Sequence, residues 1–300
     1  MKLSVAIPIY NRSVESLLTT LKKQADKASE AVEIICLDDG SQYFQHKNQQ
    51  IAEELDITYL TQPNAGRAKS RNKLANLSRG EYLLFLDCDS GVIHEKFLEN
   101  YLFSLGRFPV LYGGRKYPSK KPEADFLLHW YYGKEVESAP LSKRLKFPYS
   151  TFMSNNFTVK KSVYEESPMD ENLREYGYED FLWAEKLREK GIEIGHLNNP
   201  VIHEDLCSNE IFLKKTIQAL DNLAYLVLSD KLGEKATPLL RWHLFFKKWR
   251  MTKFFTFSTS LIITSIEKNL HSQSPNLTLF NLWKLYQYHL LFLKRKKVNT

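Results

Sequence analysis

The stretch YLLFLDCDS, residues Tyr82–Ser90, decides how the rest of the chain is interpreted. Its four large apolar residues, Leu83–Leu86, lead directly into Asp87-Cys88-Asp89. A short apolar run bounded by polar residues is typical of a buried strand in a parallel sheet, and ligands of such sheets bind beyond the carboxyl ends of the strands. Two carboxylates at such an end suit Mg²⁺ or Mn²⁺. The alternative is that Asp87 ends the strand and Asp89 starts a turn.

On both sides of this stretch, apolar strand patterns alternate with helical ones. The other predicted strands are Leu3–Ile9, Val32–Leu37, Ile57–Leu60, Val110–Gly113, Met153–Val159 and Ile192–Leu197. Alternation at this spacing indicates βαβ units and an α/β fold with a mostly parallel central sheet flanked by helices. We therefore predict an α/β domain over residues 1–210, followed by a helical C-terminal region over residues 211–300.

Three loops that follow predicted strands contain Asn, Asp, Arg or Ser, whose side chains can bind a ligand. They are Tyr10-Asn11-Arg12, Asp38-Asp39-Gly40-Ser41 and the loop that begins at Asp87. Because the carboxyl ends of parallel strands meet at one edge of a sheet, we expect these loops to lie together. They combine carboxylates with cations, as a site for a metal ion and a diphosphate requires.

Length and composition indicate a globular intracellular protein. The 300 residues are 43% hydrophobic and 26% charged, and the three cysteines show no paired spacing, which favours a reducing compartment over a disulfide framework. The first predicted strand begins at Leu3, which leaves no room for a signal peptide, and the longest apolar stretch, Phe254–Ile266, is too short to span a bilayer. We therefore expect a cytoplasmic location.

Positive charge is concentrated in the C-terminal third. Residues 1–210 contain 27 Lys and Arg against 31 Asp and Glu, whereas residues 211–300 contain 15 against 4. The basic residues of segment 239–266 are interspersed with Trp and Phe, and such helices bind at the surface of anionic membranes. We predict peripheral contact with the inner face of the cell membrane. The alternative is a helical subdomain with solvated charges, and nucleic acid is disfavoured because no binding motif accompanies the charge.

Further along the chain, Glu179-Asp180 opens a predicted helix over Phe181–Lys190. Acids in the first turn of a helix are common because they interact favourably with the helix dipole. The functional interpretation is that the neighbouring charge of Glu179 raises the pKa of Asp180, which would then suit a general base.

Taken together, the motifs resemble those of the inverting family 2 glycosyltransferases, which have the GT-A fold. The resemblance covers roughly residues 3–205, and neither segment 115–150 nor the chain beyond about residue 210 matches the family core. The motifs that carry it, in order, are Pro8-x-Tyr10-Asn11, Asp38-Asp39-Gly40-Ser41, Asn64-Ala65-Gly66-x-Ala68-x-x-Arg71-Asn72, Asp87-x-Asp89, Glu179-Asp180 and His203.

The resemblance implies transfer of a sugar from a nucleotide diphosphate sugar, with inversion, to a glycan or lipid-linked acceptor in surface polysaccharide synthesis. It also implies roles for single residues. Asp39 would accept a hydrogen bond from the base, uracil in a UDP-sugar, and Asp180 would be the general base. The remaining implied contacts are the nucleotide-binding Pro8, Tyr10, Asn11, Arg71 and Asp87, and the metal ligands Asp89 and Asp87 for Mn²⁺ or Mg²⁺.

Several further residues have two interpretations each. His203 either completes the metal site or is structural, and Trp183 either stacks on an acceptor sugar or belongs to the core. Arg115 and Asn156 either contact the donor sugar and diphosphate or serve in turns and at the surface. Glu179 is a candidate for donor or acceptor contact beside Asp180.

Two other functions are compatible with a nucleotide-binding sheet. A sugar-nucleotide nucleotidylyltransferase would need a glycine-rich phosphate loop with a basic residue near the N-terminus, and Pro8–Arg12 is not such a loop. A non-catalytic nucleotide- or glycan-binding protein at the membrane would not need the base. The presence of Asp39, Asp89 and Asp180 together therefore favours an enzyme.

Overall fold

A seven-stranded sheet organises the computed structural model, which describes residues 1–173 and 177–298. A second, three-stranded sheet lies at the end of β4 and combines β5, β10 and β7. The order in the large sheet is β3-β2-β1-β4-β8-β6-β9. The strands are β1 (Leu3–Ile9), β2 (Val32–Asp38), β3 (Thr58–Thr61), β4 (Tyr82–Leu86), β5 (Ser90–Gly91), β6 (Val110–Tyr112), β7 (Arg115–Lys116), β8 (Asn156–Lys160), β9 (Ile194–His196) and β10 (Val201–His203).

The direction of the strands confirms the predicted α/β fold with a mainly parallel sheet. Strand β1 runs parallel to β2 and β4, β2 runs parallel to β3, and β6 runs parallel to β9. Strand β8 is the exception, because it is antiparallel to both β4 and β6. Its first residue, Asn156, is therefore paired with Leu86, the last residue of β4, at the edge where the loops gather.

The helices alternate with the strands and then continue as a C-terminal array. They are α1 (Glu15–Ala25), α2 (Gln45–Glu54), α3 (Arg67–Leu77), α4 (Phe97–Ser104), α5 (Leu127–Tyr132), α6 (Leu141–Lys146), α7 (Lys161–Glu166), α8 (Glu179–Glu189), α9 (Asn209–Leu228), α10 (Pro238–Lys248), α11 (Thr252–Ser260), α12 (Ile263–Leu270) and α13 (Leu277–Val298). A short 3₁₀ helix, Ala124–Phe126, precedes α5, and a π-helix, Gly133–Glu137, follows it.

Strand β4 is buried on both faces, as its uninterrupted apolar run predicts. Leu84 and Leu86 pack into one core with α1, α2 and α4, whereas Leu83 and Phe85 pack into a second core with α3, α7 and α8. Each buried side chain of this kind contributes about 1.5–3 kcal/mol relative to an exposed one. The doubly covered strand thus provides a rigid base for the residues that follow Leu86.

The chain divides into two compact units. Among the described residues, the first unit comprises 1–118, 136–173 and 179–205, and the second comprises 119–135, 177–178 and 206–298. The core of the second unit is formed by apolar residues of α5, α9, α12 and α13, among them Phe212, Phe280 and Trp283. No helix in the described residues is both long and apolar enough to cross a bilayer.

Candidate active site

The carboxylate of Asp39, at the end of β2, anchors the loop before α3. It is 5% exposed and accepts hydrogen bonds from the backbone N–H groups of Ala65 at 2.8 Å and Gly66 at 2.9 Å, and from the side chain of Gln62 at 2.7 Å. Gly66 has a φ of +91°, a conformation that glycine adopts without strain. Asp39 therefore shapes this loop, and its contact with a nucleotide base stays a prediction.

Asn11 connects the loop after β1 with the loop after β2. Its side-chain oxygen accepts from the N–H groups of Gln42 at 2.7 Å and Tyr43 at 3.2 Å, and its own N–H donates to the Ser41 hydroxyl at 2.8 Å. The neighbouring Tyr10 is 51% exposed, so its ring is accessible to a ligand. Pro8, in β1, is paired with Leu37 of β2. The structure thus brings the predicted nucleotide-binding residues to one edge of the sheet.

Arg71 of α3 is buried and forms an ion pair with Asp87. Its Nη2 donates to Asp87 Oδ1 at 2.6 Å, and the same nitrogen lies 3.4 Å from the carbonyl of Ser154. Its Nη1 has no hydrogen-bond partner among the described residues. Because a buried guanidinium needs a compensating charge, Asp87 holds Arg71 in place. The structure thus shows Asp87 in an ion pair, and its contact with a metal ion stays a prediction.

Asp89 lies beside His203, which the small sheet brings to it. Strand β10 pairs with β5 so that His203 is opposite Ser90, and His203 Nδ1 lies 3.2 Å from Asp89 Oδ2. Burial alone would raise the pKa of Asp89, but the bond with His203 and the charges of Arg115 and Arg67 lower it well below its usual range. Asp89 is therefore an ionised carboxylate at neutral pH.

The spacing of Asp89 Oδ2 and His203 Nδ1 is compatible with two neighbouring ligands of one cation. Ligands 2.0–2.1 Å from an octahedral Mg²⁺ are separated by about 3 Å. No cluster of three or more His, Cys, Asp or Glu side chains suited to a metal occurs within residues 1–173 and 177–298. The protein thus offers a pair of ligands, and Mg²⁺ commonly takes its other ligands from substrate phosphates and water.

Arg115 also lies against His203. Its Nη2 is 2.6 Å from His203 Nδ1, and its Nη1 donates to a carboxylate oxygen of Glu137 at 3.1 Å. The hydroxyl of Tyr117 donates to that same oxygen. The sequence suggests a contact of Arg115 with the donor sugar and diphosphate but gives no signal for Glu137 or Tyr117, because segment 115–150 has neither a motif nor a clear periodicity.

Asp180 lies in the first turn of α8, directly after its first residue Glu179, and accepts a hydrogen bond from the N–H of Phe181 at 2.8 Å. Burial, with the adjacent charge of Glu179, raises the pKa of Asp180 to about 7. Glu179 itself lies 3.4 Å from Arg67 Nη1, and its other oxygen is buried without a hydrogen-bond partner in the described residues. A carboxylate with a pKa near neutrality suits proton abstraction at physiological pH.

The predicted contact of Asn156 with a donor sugar is wrong. Asn156 is fully buried, and its side chain accepts from the Tyr101 hydroxyl at 2.7 Å and donates to the carbonyls of Gly114 at 3.0 Å and Asn199 at 2.9 Å. These bonds use both polar atoms of the amide. Asn156 therefore ties the start of β8 to neighbouring loops.

The predicted stacking of Trp183 on an acceptor is also wrong. Its side chain is 2% exposed, its ring packs against Phe152, Phe157 and Tyr164, and its Nε1 donates to the carbonyl of Ser167 at 2.7 Å. The position in the helix explains this placement, because Trp183 shares the buried face of α8 with Ala184 and Leu187, which belong to the same core. The core interpretation of Trp183 is the correct one.

The sequence matches the family described as glycosyl transferase family 2 over residues 4–167. A poly(ribitol-phosphate) beta-glucosyltransferase of Bacillus spizizenii is 33% identical over 112 residues, which are 35% of this chain and 17% of that protein. An uncharacterized glycosyltransferase of Haemophilus influenzae is 37% identical over 100 residues, 31% of each chain. The matched segment thus spans less than a third of the length of either relative.

Solved structures share the fold at low sequence identity. A mannosyltransferase from Pyrobaculum calidifontis in complex with GDP-Man and Mn²⁺ has a TM-score of 0.56 at 13% identity, over 97% of this chain and 87% of that one. A glucosyl-3-phosphoglycerate synthase from Mycobacterium tuberculosis in complex with Mg²⁺ and UDP has a TM-score of 0.52 at 13% identity, over 77% and 79%. At these identities the likeness concerns the fold alone.

Proposed function

Because the chain belongs to glycosyl transferase family 2, we propose that it transfers a sugar from a UDP-sugar to a hydroxyl of a glycan or lipid-linked acceptor, with inversion, in surface polysaccharide synthesis. One observation carries the proposal. The first unit shifts the pKa values of two aspartates in opposite directions, lowering the pKa of Asp89 and raising that of Asp180 to about 7. Inverting transfer needs both kinds of carboxylate, one that stays ionised to bind a cation and one that is basic enough to accept a proton.

Asp180 is the general base of the proposed reaction. It takes the proton of the acceptor hydroxyl while the acceptor oxygen bonds to the anomeric carbon, and the bond from that carbon to the diphosphate breaks on the opposite face. General-base catalysis of this kind contributes roughly 10²–10⁴-fold to a rate. The pKa of about 7 keeps a large share of Asp180 ionised at neutral pH and still basic enough to accept the proton.

Asp89 and His203 are the residues that would hold Mn²⁺ or Mg²⁺, and their 3.2 Å separation fits that role. When bound, the ion neutralises charge that develops on the leaving diphosphate. Arg71 supports the nucleotide side of the site, because its Nη1 lacks a partner among the described residues and is therefore a candidate donor to a phosphate oxygen. Tyr10 would cover the base with its exposed ring.

A panel of nucleotide sugars tests this proposal directly. The full chain is heated with each nucleotide sugar, with and without Mn²⁺, and the shift of its melting temperature is recorded. We expect stabilisation by UDP-sugars that depends on Mn²⁺, followed by release of UDP when a suitable acceptor is added. Stabilisation by none of the nucleotide sugars would contradict the proposal.

The products separate this function from its two alternatives. A nucleotidylyltransferase would release pyrophosphate from a nucleoside triphosphate and a sugar phosphate, whereas the proposed enzyme releases a nucleoside diphosphate. A non-catalytic binding protein would be stabilised by the nucleotide sugar without turnover under any acceptor condition. The raised pKa of Asp180 favours the enzyme, because a binding protein has no use for a half-buried carboxylate of increased basicity.

We further propose that the second unit binds the inner face of an anionic membrane. The segment from α10 to the start of α12 exposes large apolar side chains to an unusual degree, led by Trp242 at 58%, Trp249 at 61%, Phe254 at 67%, Phe257 at 65% and Leu261 at 71%. Exposed basic residues lie among them: Arg241, Lys247, Lys248, Arg250 and Lys253. Aromatic and apolar side chains enter the headgroup region, and each basic residue adds about 1 kcal/mol near anionic lipid.

Vesicle co-sedimentation tests the membrane proposal. The full chain should sediment with vesicles rich in phosphatidylglycerol, less with pure phosphatidylcholine, and less again as salt is raised, because salt screens the charges. A variant with Trp242, Trp249 and Phe254 changed to serine should lose this binding. Phe103→Ser is the matched control, since Phe103 is 75% exposed in the first unit. Equal sedimentation of both variants would contradict this use of the segment.

A further inference from the structure

Arg115 lies closer to His203 than Asp89 does. The distance from Arg115 Nη2 to His203 Nδ1 is 2.6 Å, whereas Asp89 Oδ2 is 3.2 Å from the same nitrogen. A guanidinium has N–H donors and no acceptor, so His203 Nδ1 accepts from Arg115 with its lone pair in this contact, whereas it donates in its contact with Asp89. The two contacts are therefore alternatives that depend on which ring nitrogen carries the proton. A metal ion binds a neutral imidazole through that same kind of lone pair. Nδ1 can therefore accept a hydrogen bond from Arg115 or coordinate a metal ion, but it cannot do both at once.

The fold holds Arg115 in this position. Strand β7 pairs with β10 so that Arg115 is opposite Val201, which places it in the strand beside His203. On its other side Arg115 Nη1 donates to Glu137 at 3.1 Å, and its guanidinium lies 5.6 Å from the ring centre of Tyr117. The Arg115 side chain is 11% exposed. This cation is thus built into the site by two strands and a carboxylate.

We infer that Arg115 is an internal cation that competes with a divalent ion for His203 and Asp89. The ion binds tightly only when the oxygens of a nucleotide diphosphate bind the guanidinium and draw it away from His203. The inference rests on the proposed function, because it takes Asp89 and His203 as the metal ligands. Its regulatory consequence is that metal and donor bind together rather than independently.

Two physical effects produce this coupling. While Arg115 contacts His203, its positive charge neutralises Asp89 and repels a second cation. A diphosphate weakens the contact of Arg115 with His203, because its oxygens accept bidentate hydrogen bonds from the guanidinium. Glu137 keeps the displaced side chain close to the site, so the exchange needs a rotation of the side chain and no movement of the strands.

Binding of Mn²⁺ alone tests the competition. Electron paramagnetic resonance measures the free Mn²⁺ that remains when the full chain is titrated without nucleotide. We expect Arg115→Gln to bind Mn²⁺ about tenfold more tightly than the unchanged chain, since a nearby positive charge and a competing donor are both removed. Lys116→Gln is the matched control: it removes an equal charge from the next residue of β7, whose side chain is exposed, and should leave the affinity unchanged.

The same titration with UDP tests the exchange. UDP should increase Mn²⁺ affinity by a larger factor in the unchanged chain than in Arg115→Gln, because only the former has an arginine to release. Arg115→Ala provides a second test that does not depend on the glutamine variant folding well. Millimolar guanidinium ion should weaken Mn²⁺ binding to Arg115→Ala, by filling the vacated place, and should leave the Lys116→Gln control unaffected.

The outcomes separate this inference from the proposed function. Equal or weaker Mn²⁺ binding by Arg115→Gln, in a variant whose melting temperature shows that it is folded, would overturn the competition and leave the metal site intact. If neither the unchanged chain nor any variant binds Mn²⁺, even with UDP present, the metal part of the proposed function is wrong as well. Tighter binding by Arg115→Gln with a reduced effect of UDP is the result that supports the inference.

Discussion

Asp89 and Asp180 are chemically identical side chains in two differently charged surroundings of the first unit. Burial raises the pKa of each, but the hydrogen bond with His203 and the charges of Arg115 and Arg67 lower the pKa of Asp89. At Asp180 burial is the largest cause, and the adjacent charge of Glu179 acts in the same direction, so the pKa rises to about 7. Because burial acts in the same direction on both carboxylates, the neighbouring charges and hydrogen bonds account for the difference between their pKa values.

Arg71 links the two surroundings. It is paired with Asp87 at 2.6 Å, and its charge also lowers the pKa of Asp180 somewhat. Without that influence Asp180 would be still harder to ionise. One buried arginine therefore pairs with Asp87 and also limits the rise of the Asp180 pKa.

Removal of Asp89 should have the largest effect. Asp89→Ala removes the proposed carboxylate ligand, and Arg115 then remains the neighbour of His203. We therefore expect transfer to be nearly abolished and Mn²⁺-dependent binding of UDP to be lost. Glu95→Ala, which removes an exposed carboxylate from the following loop, is the control and should behave as the unchanged chain does. Calorimetric titration of UDP with Mn²⁺ is the measurement, and an unaltered titration for Asp89→Ala would refute its role.

Asp180→Asn should slow catalysis strongly while leaving the surroundings of Asp89 unchanged. We expect turnover to fall by about 10²–10⁴-fold, the usual contribution of a general base, with donor binding retained. In the unchanged enzyme, turnover should decline as the pH falls below about 7, because Asp180 becomes protonated and can no longer accept the proton. Near-normal turnover by Asp180→Asn with the native acceptor would mean that another residue is the base.

Glu179→Gln tests the cause of the raised pKa. Removing the like charge should lower the pKa of Asp180, which moves the acidic limb of the pH–rate profile to lower pH. Turnover on the alkaline plateau should change by less than about tenfold, because Asp180 stays in place and only its basicity is reduced. Glu189→Gln, an exposed position of the same helix, is the control. A limb that does not move would assign the raised pKa to burial alone.

Trp183→Phe should have the smallest effect on catalysis. The variant keeps an aromatic ring in the core but loses the hydrogen bond to the buried carbonyl of Ser167, so we expect the free energy of unfolding to drop by about 1–3 kcal/mol. Denaturant unfolding measures this drop, and kinetics should show an unchanged KM for the acceptor. A raised acceptor KM in a fully folded variant would return Trp183 to the acceptor site.

Local sequence determined the strands and the residues at their ends. Strand β1 has the predicted bounds, Leu3–Ile9, and β4, Tyr82–Leu86, contains the apolar run Leu83–Leu86 that precedes Asp87, because a run of apolar residues that ends in polar ones is a property of neighbouring residues. The same reasoning identified Asp39, Asp89 and Asp180, each of which lies at the edge of an element. For these residues the type and the position along the chain were sufficient to suggest the chemistry.

Tertiary structure alone decided which of these residues meet, and in what state. His203 reaches Asp89, and Arg115 reaches His203, only because β10 pairs with both β5 and β7. Asn156 and Trp183 have residue types that suit a sugar site, yet packing places both in the interior. The physical reason is that strand pairing and side-chain burial depend on partners far apart in sequence, and the charge of a carboxylate depends on the partners that this packing brings to it.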